Sequence, residues 1–139
     1  MQTDGAGIPI GLAIAGANRN DFKLLRETLE SLPIERPEVT PNARQHLCLD
    51  KGYDYPECYR LAIELQYTPH VSRTSATFKR PPRLPGRRKA RRYVVERSHS
   101  WINRFRRMLI RWEKKMVNYT ALVQFVCAIV AFRSAKVLI

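Results

Sequence analysis

Acid is what the second half of this 139-residue sequence lacks. Residues 71 to 139 hold 18 Lys and Arg against 2 acids, Glu96 and Glu113, whereas residues 1 to 70 hold 7 against 10. The whole chain carries a formal charge of +13, and so one-sided a distribution points one face at a polyanion, nucleic acid or an anionic membrane. Cysteine is scarce as well. Cys48, Cys58 and Cys127 are odd in number and far apart, with no Cys-x-x-Cys or Cys/His spacing, which excludes a zinc-finger reading. Each sits among apolar neighbours and reads as a reduced core thiol, as in cytosol. The opening "MQTDGAGIPIGLAIAGA" has no Lys or Arg in its leading segment, which a secretory signal needs. The longest apolar stretch, "YTALVQFVCAIVAF", runs 14 residues. A bilayer span takes roughly 20, so a buried helix is expected and no membrane partner.

What is present suits one α/β domain with a core of its own. "GIPIGLAIAG" reads as a strand, and "TDGAG" before it as a hairpin turn that has lost its first strand, since a DG turn needs a partner on both sides. "NDFKLLRETLESL" predicts a helix capped by Asn20 or Asp21, with Leu24, Leu25, Leu29 and Leu32 on one face. Residues 33–44 hold three prolines and form a loop. "HLCLD" (46–50) is a short strand ending in an acid. "DYPE" then opens a helix to about Gln66, with Asp54 and Glu57 as a capping box and Pro56 in its first turn. "TPHVSR" predicts another strand and 74–91 a basic, Pro-rich, exposed loop. Two helices close the chain, over about 90–115 and 119–133. Strands alternating with helices imply an α/β sandwich.

In "RRKARRYVVERSHSWINRFRRM" (87–108) nine cations surround one acid, Glu96. Wound as a helix, residues 90–115 put Val94, Val95, Ile102, Phe105, Leu109 and Trp112 on one stripe, with Trp101 and Met108 at its edge. Both tryptophans therefore read as core. Glu96 lies on the opposite face with Arg92, Asn103 and Arg107. An exposed Arg92–Glu96 ion pair, worth a few tenths of a kcal/mol, would explain that acid without any function. Asp50, just past a buried strand, stands where α/β folds bind ligands, although it also suits a turn beside "KGYD". Together, a strand-end Asp and a polar-face Glu in a basic surround suggest a metal site facing a phosphodiester, because magnesium takes carboxylate and phosphate oxygens.

"LCLDKGYD", a basic linker, "RRYVVERSHSWINRFRRMLIRWEKK" and a closing apolar helix, preceded by "TDGAGIPIGLAIAGANRNDF", resemble the DDE transposases of bacterial insertion sequences over nearly the whole chain. The resemblance implies a ribonuclease H-like fold, a mixed sheet flanked by helices, that presents Asp, Asp and Glu to two divalent metals, Mg2+ or Mn2+. Asp50 matches the second aspartate and Glu96 the glutamate. Arg92 matches the arginine of the family's Tyr-Arg-Glu-Lys signature, whose lysine position holds Asn103, beside Arg104, and whose tyrosine position holds Lys89. The implied DNA contacts are Arg87, Arg88, Lys89, Arg91, Arg92, Arg97, Arg104 and Arg107.

The family's first Asp lies on a strand upstream of the opening turn, and Asp4 matches the turn instead. Residues 1–139 are thus expected to be the C-terminal portion of the catalytic domain, an incomplete fold that lacks the first catalytic strand. The resemblance implies DNA, an upstream segment joined by frameshifting and a homo-oligomeric active complex as partners, in the cytoplasm. A remnant of a decayed element fits the same sequence. The alternative function is a non-catalytic nucleic-acid-binding protein built on the basic region; a third is membrane association through the basic helix and apolar tail, against which the helix's cations are not confined to one face.

Overall fold

The computed structural model describes residues 1–16, 18–71 and 92–135, with the side chains of Arg92 and Tyr93 left aside. The expected basic loop at 74–91 lies outside the described residues. The chain opens on a hairpin. Strands β1 (Gln2–Thr3) and β2 (Pro9–Gly11) pair antiparallel. Asp4 organises the turn between them, its Oδ1 accepting from the amides of Ala6 at 2.9 Å and Ile8 at 2.8 Å. The turn therefore keeps a short strand on its N-terminal side, correcting the expectation that its first strand was lost. Two residues suffice because the Asp4 carboxylate, rather than a long ladder, fixes the register.

A single 3-10 turn (Asp21–Leu24) leads into α1 (Leu25–Glu30). Asn20 precedes the turn without a side-chain cap, so the predicted helix forms but starts tightly wound. Leu25 and Leu29 are buried one turn apart. α1 ends on Ser31, whose hydroxyl donates to the Thr28 carbonyl at 2.7 Å and accepts from the Leu12 amide at 2.7 Å. That clamp presses β2 against the helix end. A Cβ on Gly11 would stand 2.8 Å from the Thr28 carbonyl oxygen, so only glycine fits there.

β3 (Gln45–Leu49) and β4 (Tyr67–Val71) pair parallel and in register, Gln45 opposite Tyr67 and Leu49 opposite Val71. Parallel neighbours need a crossover, supplied here by α2 (Pro56–Glu64) with Pro56 in its first turn, as expected. The expected capping box does not form. Tyr55 takes the cap position without a side-chain bond, and Asp54 instead accepts from the Tyr59 hydroxyl at 3.0 Å. Leu25, Leu29, Leu47, Cys58, Ala62 and Tyr67 close one apolar cluster between these elements. Arg36 seals its rim, stacked 4.1 Å over the Tyr67 ring and donating to the Leu65 carbonyl at 2.7 Å. Cys48 points outward from β3 and is exposed, so it is not the core thiol its neighbours suggested.

The long basic helix expected over 90–115 is broken. α3 (Arg92–Asn103) stops, Phe105 turns extended, and α4 (Arg106–Leu109) is a single turn. A continuous helix would stack Arg104, Arg107 and Arg111 on one face, and like charges at such spacing repel. The bend also lets Arg107 reach Glu113 at 2.6 Å, six residues away, a separation that a straight helix places on different sides. Val94 and Ile102 are buried as the apolar stripe requires, but Val95, expected on the same stripe, is exposed. Beyond the break the stripe fails: Leu109 and Trp112 are exposed, Trp112 by 70 %.

α5 (Met116–Ser134) closes the described chain. It packs on β2 and α3 through Val123, Val126 and Val130, all buried. Among the described residues it is the one helix whose length and composition would suffice to cross a membrane. The two-stranded sheets do not join each other. The Gln2 amide reaches from one sheet to the other, donating to the Tyr67 hydroxyl at 3.3 Å.

Candidate functional site

Asp50 leaves the C-terminal end of β3, the end at which parallel strands present ligand-binding loops. It caps the 3-10 turn Lys51–Tyr53, its Oδ1 accepting from the Gly52 amide at 2.9 Å. One carboxylate oxygen thus serves the turn. Glycine suits the second position of that turn, since a Cβ would lie 3.2 Å from the same oxygen.

The Tyr53 phenol, half-buried behind Asp50, has its pKa pushed up to about 12 by burial first, then by the charges of Asp21 and Asp50. Both carboxylates therefore bear on one hydroxyl. Sequence patterning read Asp21 only as a helix cap; no local signal distinguishes a capping aspartate from one that the tertiary fold turns toward a strand end. The elevation has a consequence for stability. Tyr53 has its ordinary pKa of 10.0 in the unfolded chain, so the native state holds its proton where the unfolded state has lost it. Its contribution should be intact below about pH 10 and should fade as pH climbs toward 12. Urea midpoints measured across that window should fall in wild type and fall less in Tyr53→Phe.

Glu96 sits on the exposed side of α3. What sets its direction lies on the other side of the same helix. Ser98, fully buried, shares its hydroxyl proton between the Gly7 carbonyl at 2.5 Å and the Val94 carbonyl at 2.9 Å. Arg97 donates to the Ala6 carbonyl and lies 5.1 Å from the Trp101 ring centroid. α3 is thereby clasped to the hairpin turn, where Gly7 takes a φ of +85°. Neither Ser98 nor Gly7 was singled out from sequence. The "DGAG" turn was legible, but nothing local showed that a serine 91 residues on would close over it.

The proposed DNA contacts divide three ways. Arg87, Arg88, Lys89 and Arg91 lie outside the described residues, and Arg92 contributes its backbone to α3. Arg97 holds the hairpin and Arg107 holds Glu113. Arg104 is exposed and, with Trp101, Phe105, Val130, Ser134 and Arg133, lines a cleft of about 310 Å³ between α3 and the end of α5. Arg133 is a cation that sequence reasoning left out of the basic surface.

In donor chemistry Asp50 and Glu96 suit a hard divalent cation, which takes carboxylate oxygens. In number they fall short: among the described residues no three His, Cys, Asp or Glu side chains come together as metal ligands. The two acids stand on separate elements, one behind β3 and the other on α3.

A family model described as "Transposase DDE domain" matches residues 1–131. The chain is also similar to a Burkholderia cepacia protein described as "Putative transposase for insertion sequence element IS402", with 27 % identity over 145 residues. The match covers 98 % of this chain and 63 % of that protein, so the chain spans less than two thirds of the relative's length. No solved structure matches.

Proposed function

We propose that this chain, which belongs to the transposase DDE domain family, is the C-terminal part of a ribonuclease H-like catalytic domain that cleaves and transfers DNA strands when an insertion sequence moves. The observation that carries the reading is the position of Asp50 at the C-terminal end of a parallel strand, with a basic helix bearing a single exposed acid, Glu96, elsewhere in the fold. Asp50 and Glu96 are the metal ligands in this proposal. Mg2+ or Mn2+, when bound, would polarise the scissile phosphate and lower the pKa of an attacking water.

The chain's own part is to place two carboxylates and hold DNA. Asp50 is fixed by the Gly52 amide and the end of β3, and Glu96 by the clasp of α3 onto the hairpin. The guanidinium groups of the basic region grip phosphate oxygens bidentately, a sequence-blind contact that positions the strand. An upstream segment, joined by frameshift fusion, supplies the first strand and its aspartate. The working complex is a homo-oligomer on DNA in the cytoplasm.

The observation that favours a purely binding protein is the same shortfall of ligands. Glu96→Gln tests one reading against the other. In a metal site it removes divalent-dependent DNA binding, whereas a simple binder should hold DNA as well or better once a negative charge is gone. Duplex affinity should in either case fall steeply with salt. Replacing Arg87, Arg88, Lys89, Arg91 and Arg92 by Ala should flatten the slope of log K against log salt by about 0.9 for each phosphate contact removed. Fluorescence anisotropy at several salt concentrations measures it, and an affinity indifferent to salt would count against phosphate contacts.

A further inference from the structure

α5 has two faces that bury nothing in common. Val123, Val126 and Val130 look inward and are buried. Across the helix Asn118, Ala121, Phe125, Ala128 and Phe132 follow at intervals of three and four residues, and all are exposed, Phe125 by 64 % and Phe132 by 48 %. At about 100° per residue the two faces are centred roughly 150° apart. A helix apolar all round is ordinarily covered all round. The outer face carries no Lys, Arg, Asp or Glu from Met116 to Phe132.

We propose that this outer face of α5 is the surface on which two copies of the chain associate, helix against helix and antiparallel. The residues themselves argue for that occupant, because the face is its own complement when read backwards. Set Phe125 opposite Ala128 of a second copy, and in the same register Phe132 falls opposite Ala121. Each ring then enters the space above a methyl group, the knob-into-hole arrangement of paired helices, and a two-fold axis between Val126 and Cys127 makes every contact occur twice. α5 is about 28 Å long. The exposed parts of Phe125 and Phe132, with those of Ala121 and Ala128, offer on the order of 300 Å² of apolar surface per copy. That is under half of the roughly 800 Å² each partner buries in a standard interface, and the polar Asn118 and Gln124 at its rim extend it. The proposal gives a surface to the oligomer of the proposed function and rests on that reading only for the expectation of self-association. Its readout is mass, which failure of the metal site would leave unchanged.

Sedimentation of residues 1–139 in high salt, which suppresses nucleic-acid carry-over, tests it. Wild type should run as a dimer. Ala128→Phe sets ring against ring and should weaken dimerisation at least about tenfold, ~1.4 kcal/mol. Phe125→Ala combined with Ala128→Phe restores a ring opposite a methyl group and should recover most of the loss. A monomeric wild type, a dimer indifferent to Ala128→Phe, or a swap that fails to rescue would overturn the proposal. So would wild type that stays monomeric yet floats with phosphatidylglycerol vesicles, which would give the face to a lipid surface.

Discussion

Residues 1–139 by themselves should leave DNA strands uncut at every magnesium or manganese concentration, and in-frame fusion to an upstream segment bearing a strand and its aspartate should start cleavage. Two metal ions flanking a scissile phosphate need carboxylates on both sides of it. Asp50 and Glu96 are the two proposed, Asp4 is engaged by the amides of its own turn, and among the described residues no three such side chains come together. In the fusion, Asp50→Asn or Glu96→Gln should each lower strand cleavage at least about a thousandfold, ~4 kcal/mol of transition-state stabilisation, with folding intact because both side chains are exposed. Cleavage of a labelled duplex, followed on denaturing gels, reads the result. Activity of the isolated chain that survives both substitutions would place the chemistry elsewhere.

Gly7→Val should be the most damaging single change to stability. A β-branched residue forced to a φ of +85° costs on the order of 1–3 kcal/mol. Its Cβ would also stand 3.2 Å from Arg97 Nη2, Ser98 Oγ and the Val94 carbonyl oxygen, the atoms of the clasp between α3 and the hairpin. If Ser98 moves aside, the buried Gly7 carbonyl loses its donor, for about 1–3 kcal/mol more. A total near 3 kcal/mol is expected in urea unfolding, with the midpoint lowered and the slope unchanged. Ser98→Ala should reproduce part of it. The double variant should cost less than the sum, since both act on one contact. An additive pair would show that the clasp is not shared.

Elements specified by adjacent residues were legible in the sequence. The short apolar run in "HLCLD" and the proline at the start of α2 located β3, Asp50 and the crossover helix, because a short apolar run and a helix start are local signals. Val94 and Ile102 were recovered by helical winding for the same reason. The break after Asn103 was not, because it is decided by repulsion among arginines and by Glu113 reaching back to Arg107, and Trp112 followed that error to the surface. Asp54 lost its capping role to a tyrosine on the next turn. At the candidate site, the strand-end position of Asp50 and the exposed side of Glu96 could be read, while the pressure of Asp21 on Tyr53 and the closure of Ser98 over Gly7 depend on contacts that no window of sequence contains.

The separation of the two sheets bears on how the proposed acids would behave in time. Asp50 belongs to the unit built around Leu25, Leu29, Leu47, Cys58, Ala62 and Tyr67, whereas Glu96 rides with the hairpin, α3 and α5, which bury their own valines. Where units share little apolar surface, they open independently and at lower free energy than the whole. The seam between them is crossed by the Gln2–Tyr67 and Leu12–Ser31 bonds and by β2 against the end of α1. Were the two units to open separately, the span between Asp50 and Glu96 would vary while each half stays folded, and anything that occupies the seam would hold it fixed.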